Sequence, residues 1–237
     1  MAIDEKSDAA LEVTDRAEYM HLLKNAPITE LAAYIGKDID AAVADSDVRT
    51  KIIERVVRSG RARALEHVNF NFRINGVSLS TLTHFTRHRM QSIDIPLFTN
   101  IKRDSFVLPE TISGDAELRG RYEAMMRRAA DFGAEMLNAG VSAEDAVYSL
   151  LSGNVLDFVM TMNARELLLF FRLRTCERAQ WEIRDYADEM LRLCREVSPG
   201  IFRYFGPGCY VSGCPEGKMS CGKAAEVREK FRLISRI

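Results

Sequence analysis

The chain has no surplus of either charge: 33 Lys plus Arg stand against 34 Asp plus Glu, a formal net charge of −1. A near-neutral chain has no overall electrostatic drive toward nucleic acid or an acidic membrane surface, so neither is expected as a partner. No apolar run approaches the roughly 18–20 residues of a transmembrane helix. The opening MAIDEKSDAALEVTD is acidic and lacks the apolar stretch of a secretory signal. A cytoplasmic protein is expected. Cysteine is scarce, and all five lie late: Cys176, Cys194, Cys209, Cys214 and Cys221. An odd number in a long chain without an export signal argues against a disulfide scaffold. Internal repeats, low-complexity tracts and linkers are absent, so one domain over residues 1–237 is expected. Four catalytic signatures are also missing: the GxSxG elbow, the HExxH zinc helix, the Walker loop, and GxGxxG after a strand.

What is present is the material of a globular core, with 47% hydrophobic and 28% charged residues. DSDVRTKIIERVVRSG has a helical apolar stripe of Val48, Ile52, Ile53 and Val56, with a stop at Gly60. Val68, Phe70, Phe72 and Ile74 alternate with polar residues, which predicts a half-buried strand interrupted at Asn75-Gly76. A helix is expected over 78–89, and loop or irregular strand between Pro96 and Pro109. A long amphipathic helix is read as opening at Ser113 or Asp115 and closing at Gly140, and Ser142-Ala-Glu-Asp145 opens another with a capping-box-like signature. VLDFVMTM is β-prone, NARELLLFFRLR carries enough apolar residues to bury a helix almost all round, and AQWEIRDYADEMLRLCREV is a further helix ending at Ser198-Pro199-Gly200. The Gly-, Pro- and Cys-rich tail around 206–223 is expected to hold no regular structure. Helices outnumber strands without alternating with them, so the class is α+β.

Two clusters carry candidate chemistry. Arg87-His88-Arg89 sets two guanidiniums around an imidazole. Paired guanidinium forks suit phosphate, while residue types alone favour a surface basic cluster with carboxylate partners, a short basic triplet being a weak motif. The second cluster is Asn163, Arg165, Arg174, Gln180, Trp181, Glu182 and Arg184. Arg165 and Arg174 are nine apart, so on one helix they point about 180° from each other. Helix capping with a salt bridge explains this spacing as well as a site does.

The Arg87-His88-Arg89 triplet resembles the signature of the flavin-dependent thymidylate synthases, and GRARALEHVNFNFRI ahead of it resembles that family's Glu-His followed by an apolar strand. TMNARELLLFFRLRTCERAQWEIRDYA resembles the family's second block, with Asn163, Arg165, Arg174, Gln180, Trp181 and Glu182 in step. The resemblance runs from about Gly60 to Ala187. It implies the thymidylate synthase-complementing fold, a central sheet with long helices, assembled as a homotetramer with FAD between subunits. It implies transfer of a one-carbon unit from methylenetetrahydrofolate to carbon 5 of dUMP, giving dTMP, with NADPH reducing the flavin. Residues matching Glu66, His67, Arg87, His88, Arg89, Asn163 and Arg165 would then bind the flavin. Arg174 would be catalytic, polarising the pyrimidine and contacting the substrate, with Ser92 also on the nucleotide side.

The sequence departs from the family on that side. Leu97 stands where the signature has Ser, Ile95 near its Glu, Thr99 near its Arg, Val147 at a phosphate-binding Arg, and Leu169 where Asn or His is common. Lys102 or Arg103 are the candidates to replace the lost phosphate donors. The alternatives are a different acceptor such as UMP, or a non-catalytic flavin- or nucleotide-binding homologue. Separately, Cys176, Cys209, Cys214 and Cys221 form a candidate metal set for zinc or an iron–sulfur centre, if the tail folds back. The plain alternative is reduced cytosolic thiols.

Overall fold

A computed structural model of the chain describes residues 12–13, 57, 62–95 and 102–234. The helix expected over 45–60, together with Pro96, Leu97 and Thr99, lies outside the described residues apart from position 57, as do the side chains of His67 and Lys102. The strands are β1 (Glu12–Val13), β2 (Asn69–Ser78), β3 (Gln91–Asp94), β4 (Lys102–Phe106) and β5 (Asn154–Asn163). They pair in the order β1-β2-β5-β3, and β4 also pairs with β5. The longer helices are α1 (Leu79–Phe85), α2 (Ala116–Asn138), α3 (Ala164–Arg174), α4 (Trp181–Val197) and α5 (Ala224–Ile234). A sheet with helices that do not alternate with its strands is the expected α+β class.

The described chain divides into two compact units: residues 72–95 with 102–160, and residues 12–13, 57, 62–71 and 161–234. In the first, the alternation read from the sequence holds, with Phe72, Ile74 and Val77 of β2 buried. The strand runs on through Asn75-Gly76 rather than stopping there. Gly76 takes φ +70°, and its N–H donates to Asp157 Oδ1 of β5 at 2.7 Å. A cross-strand carboxylate thus accepts the bond that a hairpin turn would have closed locally. Ser78 caps α1, its hydroxyl oxygen accepting the Thr81 N–H at 3.0 Å. The helix ends at Phe85, short of the expected 89. β4 is the irregular strand expected between Pro96 and Pro109, with a register shift against β5. α2 begins where Asp115 accepts the Glu117 and Leu118 N–H groups, and the chain leaves it through Gly140 at φ +85°. Ser142 accepts the Asp145 N–H while its own hydroxyl donates to Asp145 Oδ2, a reciprocal cap on the single turn Ala143–Ala146.

The second unit is built on α3 and α4. Asn163 Oδ1 accepts the Glu166 N–H at 2.9 Å and starts α3, and Gln180 Oε1 accepts the Ile183 N–H at 3.0 Å and starts α4. Phe70, Phe171 and Phe202 meet edge to face, with ring centroids 5.3 and 5.9 Å apart. α3 buries Leu167, Phe170 and Phe171 but leaves Leu169 and Leu173 each 47% exposed. It is therefore amphipathic, not buried all round. Arg165, Leu169, Arg172 and Leu173 lie on its open side. Pro199 does not merely end α4, since it begins the single turn Pro199–Phe202. The tail also departs from the expectation of irregular structure. It holds a turn of helix at Gly208–Val211 and a 3-10 turn at Gly217–Met219, and is followed by α5, whose Val227 and Phe231 are buried. Arg195 of α4 is the buried tie between these pieces. Its guanidinium donates to the carbonyls of Phe202, Phe205 and Phe231. Three fixed carbonyl dipoles replace the water that the buried cation has lost.

Candidate functional site

In the first unit the Arg-His-Arg triplet follows directly on α1. The Thr86 N–H closes the helix on Leu82 O, and the His88 N–H donates to Phe85 O at 3.1 Å. This backbone path turns His88 inward, with 5% of its surface exposed, and leaves Arg87 and Arg89 exposed on either side. Gln91 Nε2 donates to Phe85 O at 2.8 Å and fixes the exit into β3. On β3, Ser92 and Asp94 form the exposed face. Arg103 of β4 is engaged inside the unit. Its Nη1 donates to Ala146 O and Ser149 Oγ, each at 3.1 Å. The guanidinium lies against Gly133 of α2, where an added Cβ would sit 2.5 Å from that Nη1. Val147 is half-buried beside it, at the start of the 3-10 turn Val147–Ser149. A phosphate role for Arg103 would have to use its other N–H groups.

In the second unit, residues from both family-like blocks come together. Glu66 lies at the end of the 3-10 turn Ala62–His67, and Arg165 in the first turn of α3. The carboxylate of Glu66 and Nη1 of Arg165 form an ion pair, although 99 residues separate them. The Ala164 N–H donates to Val68 O at 2.7 Å and holds the same junction. Asn163 stands beside it as the α3 cap. Arg174 is at the far end of the 11-residue helix, about 13 Å along the axis from Arg165. There the C-terminal dipole favours a cation. Thr175 closes the helix, its hydroxyl donating to Phe171 O at 2.6 Å.

Beyond Arg174 lies a cavity of about 310 Å³. Its walls include Arg172, Arg174 and Arg178 together with Cys176, Cys209, Cys214 and Cys221. Burial foremost, and then the neighbouring Cys176, Cys214 and Cys221, push the Cys209 thiol above its usual range. The tail therefore does fold back toward Cys176. Among the described residues, however, no three His, Cys, Asp or Glu side chains are placed to hold one metal ion. Cys194 takes no part, being fully buried in α4. Sequence reading missed Arg172 and Arg178. The density of arginine in FRLRTCER was the available signal, but a helix end explains such arginines equally well.

The family model described as "Thymidylate synthase complementing protein" matches residues 5–200. A flavin-dependent thymidylate synthase of Geobacter sulfurreducens is 43% identical over 194 residues, covering 80% of this chain and 83% of that protein. One of Clostridium tetani is 36% identical over 199 residues, covering 76% and 80%. One of Pyrococcus furiosus is 35% identical over 205 residues, covering 81% and 84%. Matched over most of its length by the family model and by these relatives, the chain belongs to the thymidylate synthase complementing protein family.

Proposed function

We propose that this protein is a flavin-dependent enzyme that transfers a one-carbon unit from methylenetetrahydrofolate to carbon 5 of dUMP, forming dTMP with NADPH as reductant. The observation that carries the reading is the Glu66–Arg165 ion pair, because it unites the two sequence blocks that resemble the family. The names of the relatives point the same way.

The donor set fits a flavin with a diphosphate. Arg87 and Arg89 present exposed guanidiniums on either side of an inward-turned His88, and each fork offers planar donors to phosphate oxygens. Glu66, His67, Asn163 and Arg165 are the proposed flavin-binding residues of the second unit. FAD, when bound, supplies the redox chemistry of the reaction. Arg174 holds a fixed positive charge at the end of α3, where it would stabilise negative charge developing on the pyrimidine as carbon 5 attacks the one-carbon unit. Ser92, with Lys102 or Arg103, would serve the nucleotide's phosphate and sugar in place of the donors lost at Leu97, Thr99 and Val147. No protein nucleophile is needed in this scheme, in keeping with the missing Ser and Cys signatures.

UMP is the competing acceptor. The observation behind it is the altered nucleotide side of the sequence, with Ile95, Leu97, Thr99 and Val147 in place of the family's usual donors. We further propose a homotetramer and one domain over residues 1–237 with a Cys-rich tail at 206–223. Among the described residues no helix is long and apolar enough to cross a membrane. The cofactor assignment is tested by combining Arg87→Ala with Arg89→Ala. The double variant is expected to purify folded but depleted of flavin. Full flavin occupancy would overturn the assignment.

A further inference from the structure

Three of the four cysteines on the cavity beyond Arg174 lie past residue 200, outside the part of the chain that the family model matches. Cys176 follows the end of α3, Cys209 lies in the turn Gly208–Val211, and Cys214 and Cys221 lie in the loops after it. Four of the chain's five thiols thus converge on one void from two distant segments. The segments are held there independently of any thiol chemistry. Arg178 donates to Met219 O and pairs with Glu216 at 3.5 Å, and Arg228 Nε donates to Cys209 O at 2.9 Å. Gly208 admits no side chain, since a Cβ would stand 2.7 Å from Pro215 Cδ, so the backbone beside Cys209 runs against the residue after Cys214.

The size and charge of the void select among occupants. Four thiolates on one zinc ion close around it at about 2.3 Å, with sulfurs roughly 4 Å apart and no room between them. Here the thiols line a space of about 310 Å³, and no three donors are placed on one ion among the described residues. An iron–sulfur cubane carries its thiolates at its outer corners, more widely spaced than around a single ion, and takes four cysteines. With four thiolates its oxidised form is a dianion. Arg172 and Arg174 on the cavity wall offset that charge. The two wall carboxylates are already answered, Glu216 by Arg178 at 3.5 Å and Glu177 by Arg184 at 3.9 Å.

We propose that Cys176, Cys209, Cys214 and Cys221 ligate a [4Fe–4S] cluster that clasps the C-terminal tail to the loop that follows α3 and carries Cys176. When a preassembled cluster is transferred, each cysteine thiol gives its proton to solvent as its sulfur–iron bond forms and an exogenous thiolate leaves. No electrons move in that exchange. Cys221 is the exposed ligand at the rim and Cys209 the buried one.

The inference does not depend on the proposed methyl transfer. The test is iron and acid-labile sulfide analysis of the full chain, isolated without oxygen and then reconstituted with ferric iron, sulfide and excess small-molecule thiol, which supplies the two electrons per cluster. Flavin is measured on the same sample, so that failure of either reading shows separately. About four irons and four sulfides per chain are expected. Cys209→Ala and Cys221→Ala should each lose most of the iron while keeping their flavin. Cys194→Ala, outside the cavity, should keep both. The wild-type result decides the matter even if a variant does not fold. Less than about one iron per chain after reconstitution, two irons with two sulfides, or one tightly held zinc would overturn the cubane. So would iron retained in both cavity variants.

Discussion

In the proposed reaction Arg174 is the residue that activates the pyrimidine, and its setting suits that role. It is half-buried at the C-terminal end of α3, where the dipole and the Thr175 closure hold the chain in one place. A guanidinium fixed beforehand needs no reorganisation when charge develops on the pyrimidine. Arg174→Ala, loaded with flavin, is expected to turn over about 10²–10³ times more slowly than wild type. Arg174→Lys should recover little, because an ammonium lacks the planar fork. Turnover of flavin-loaded Arg174→Ala near the wild-type rate would place activation of the ring elsewhere. At this scale the sequence was a partial guide. The spacing of Arg165 and Arg174 implied two surroundings, and the structure gives Arg165 the Glu66 carboxylate and Arg174 the cavity wall. That Arg103 would be drawn into contacts under Gly133 was invisible, because nothing local to KRD announces a partner 43 residues away.

At the scale of elements, local chemistry was legible and long-range chemistry was not. Asp115 and Ser142 each cap the helix that follows, because a side-chain oxygen satisfying an early N–H is a matter of three residues. Asn75-Gly76 misled for the opposite reason. The turn signal is local, but Asp157 on the neighbouring strand kept β2 extended. α5 went unread behind a Gly- and Cys-rich tail, although its Val227 and Phe231 stand at helical spacing. α4 supplies a pH prediction. Complete burial holds the Cys194 thiol well above its ordinary value of 9.0, so the folded chain keeps a proton that the unfolded chain releases. The stability this thiol contributes is full below pH 9.0 and is lost as pH rises toward the folded value. Urea unfolding measured from pH 8.5 to 10.5 should therefore show a slope in wild type steeper than in Cys194→Ala by up to about 1.4 kcal/mol per pH unit. Parallel slopes would contradict the assignment.

For the whole molecule, class and family came from the sequence because both rest on contiguous blocks, and the α+β arrangement followed from the order of the elements. The cavity formed by Cys176 and the tail was foreseen only as a possibility of chain folding. The ties that make it, Arg178 to the 216–219 segment and Arg228 to Cys209, join residues far apart in sequence. Assembly is a separate expectation. Leu118, Met125 and Phe132 lie at seven-residue intervals on one face of α2 and are 47, 51 and 55% exposed. An apolar stripe of that kind on a charged helix is suited to burial against another chain. Light scattering should give a mass about four times the 26.8 kDa of one chain, and a mass near 26.8 kDa would contradict the tetramer.

The most direct test of the central claim is product formation by flavin-loaded protein supplied with methylenetetrahydrofolate and NADPH, with dUMP or UMP offered in parallel. Conversion of dUMP to dTMP is expected, with NADPH oxidised in step, while UMP should yield little methylated product. Methylation of UMP with dUMP untouched, or no methylated nucleotide from either, would contradict it.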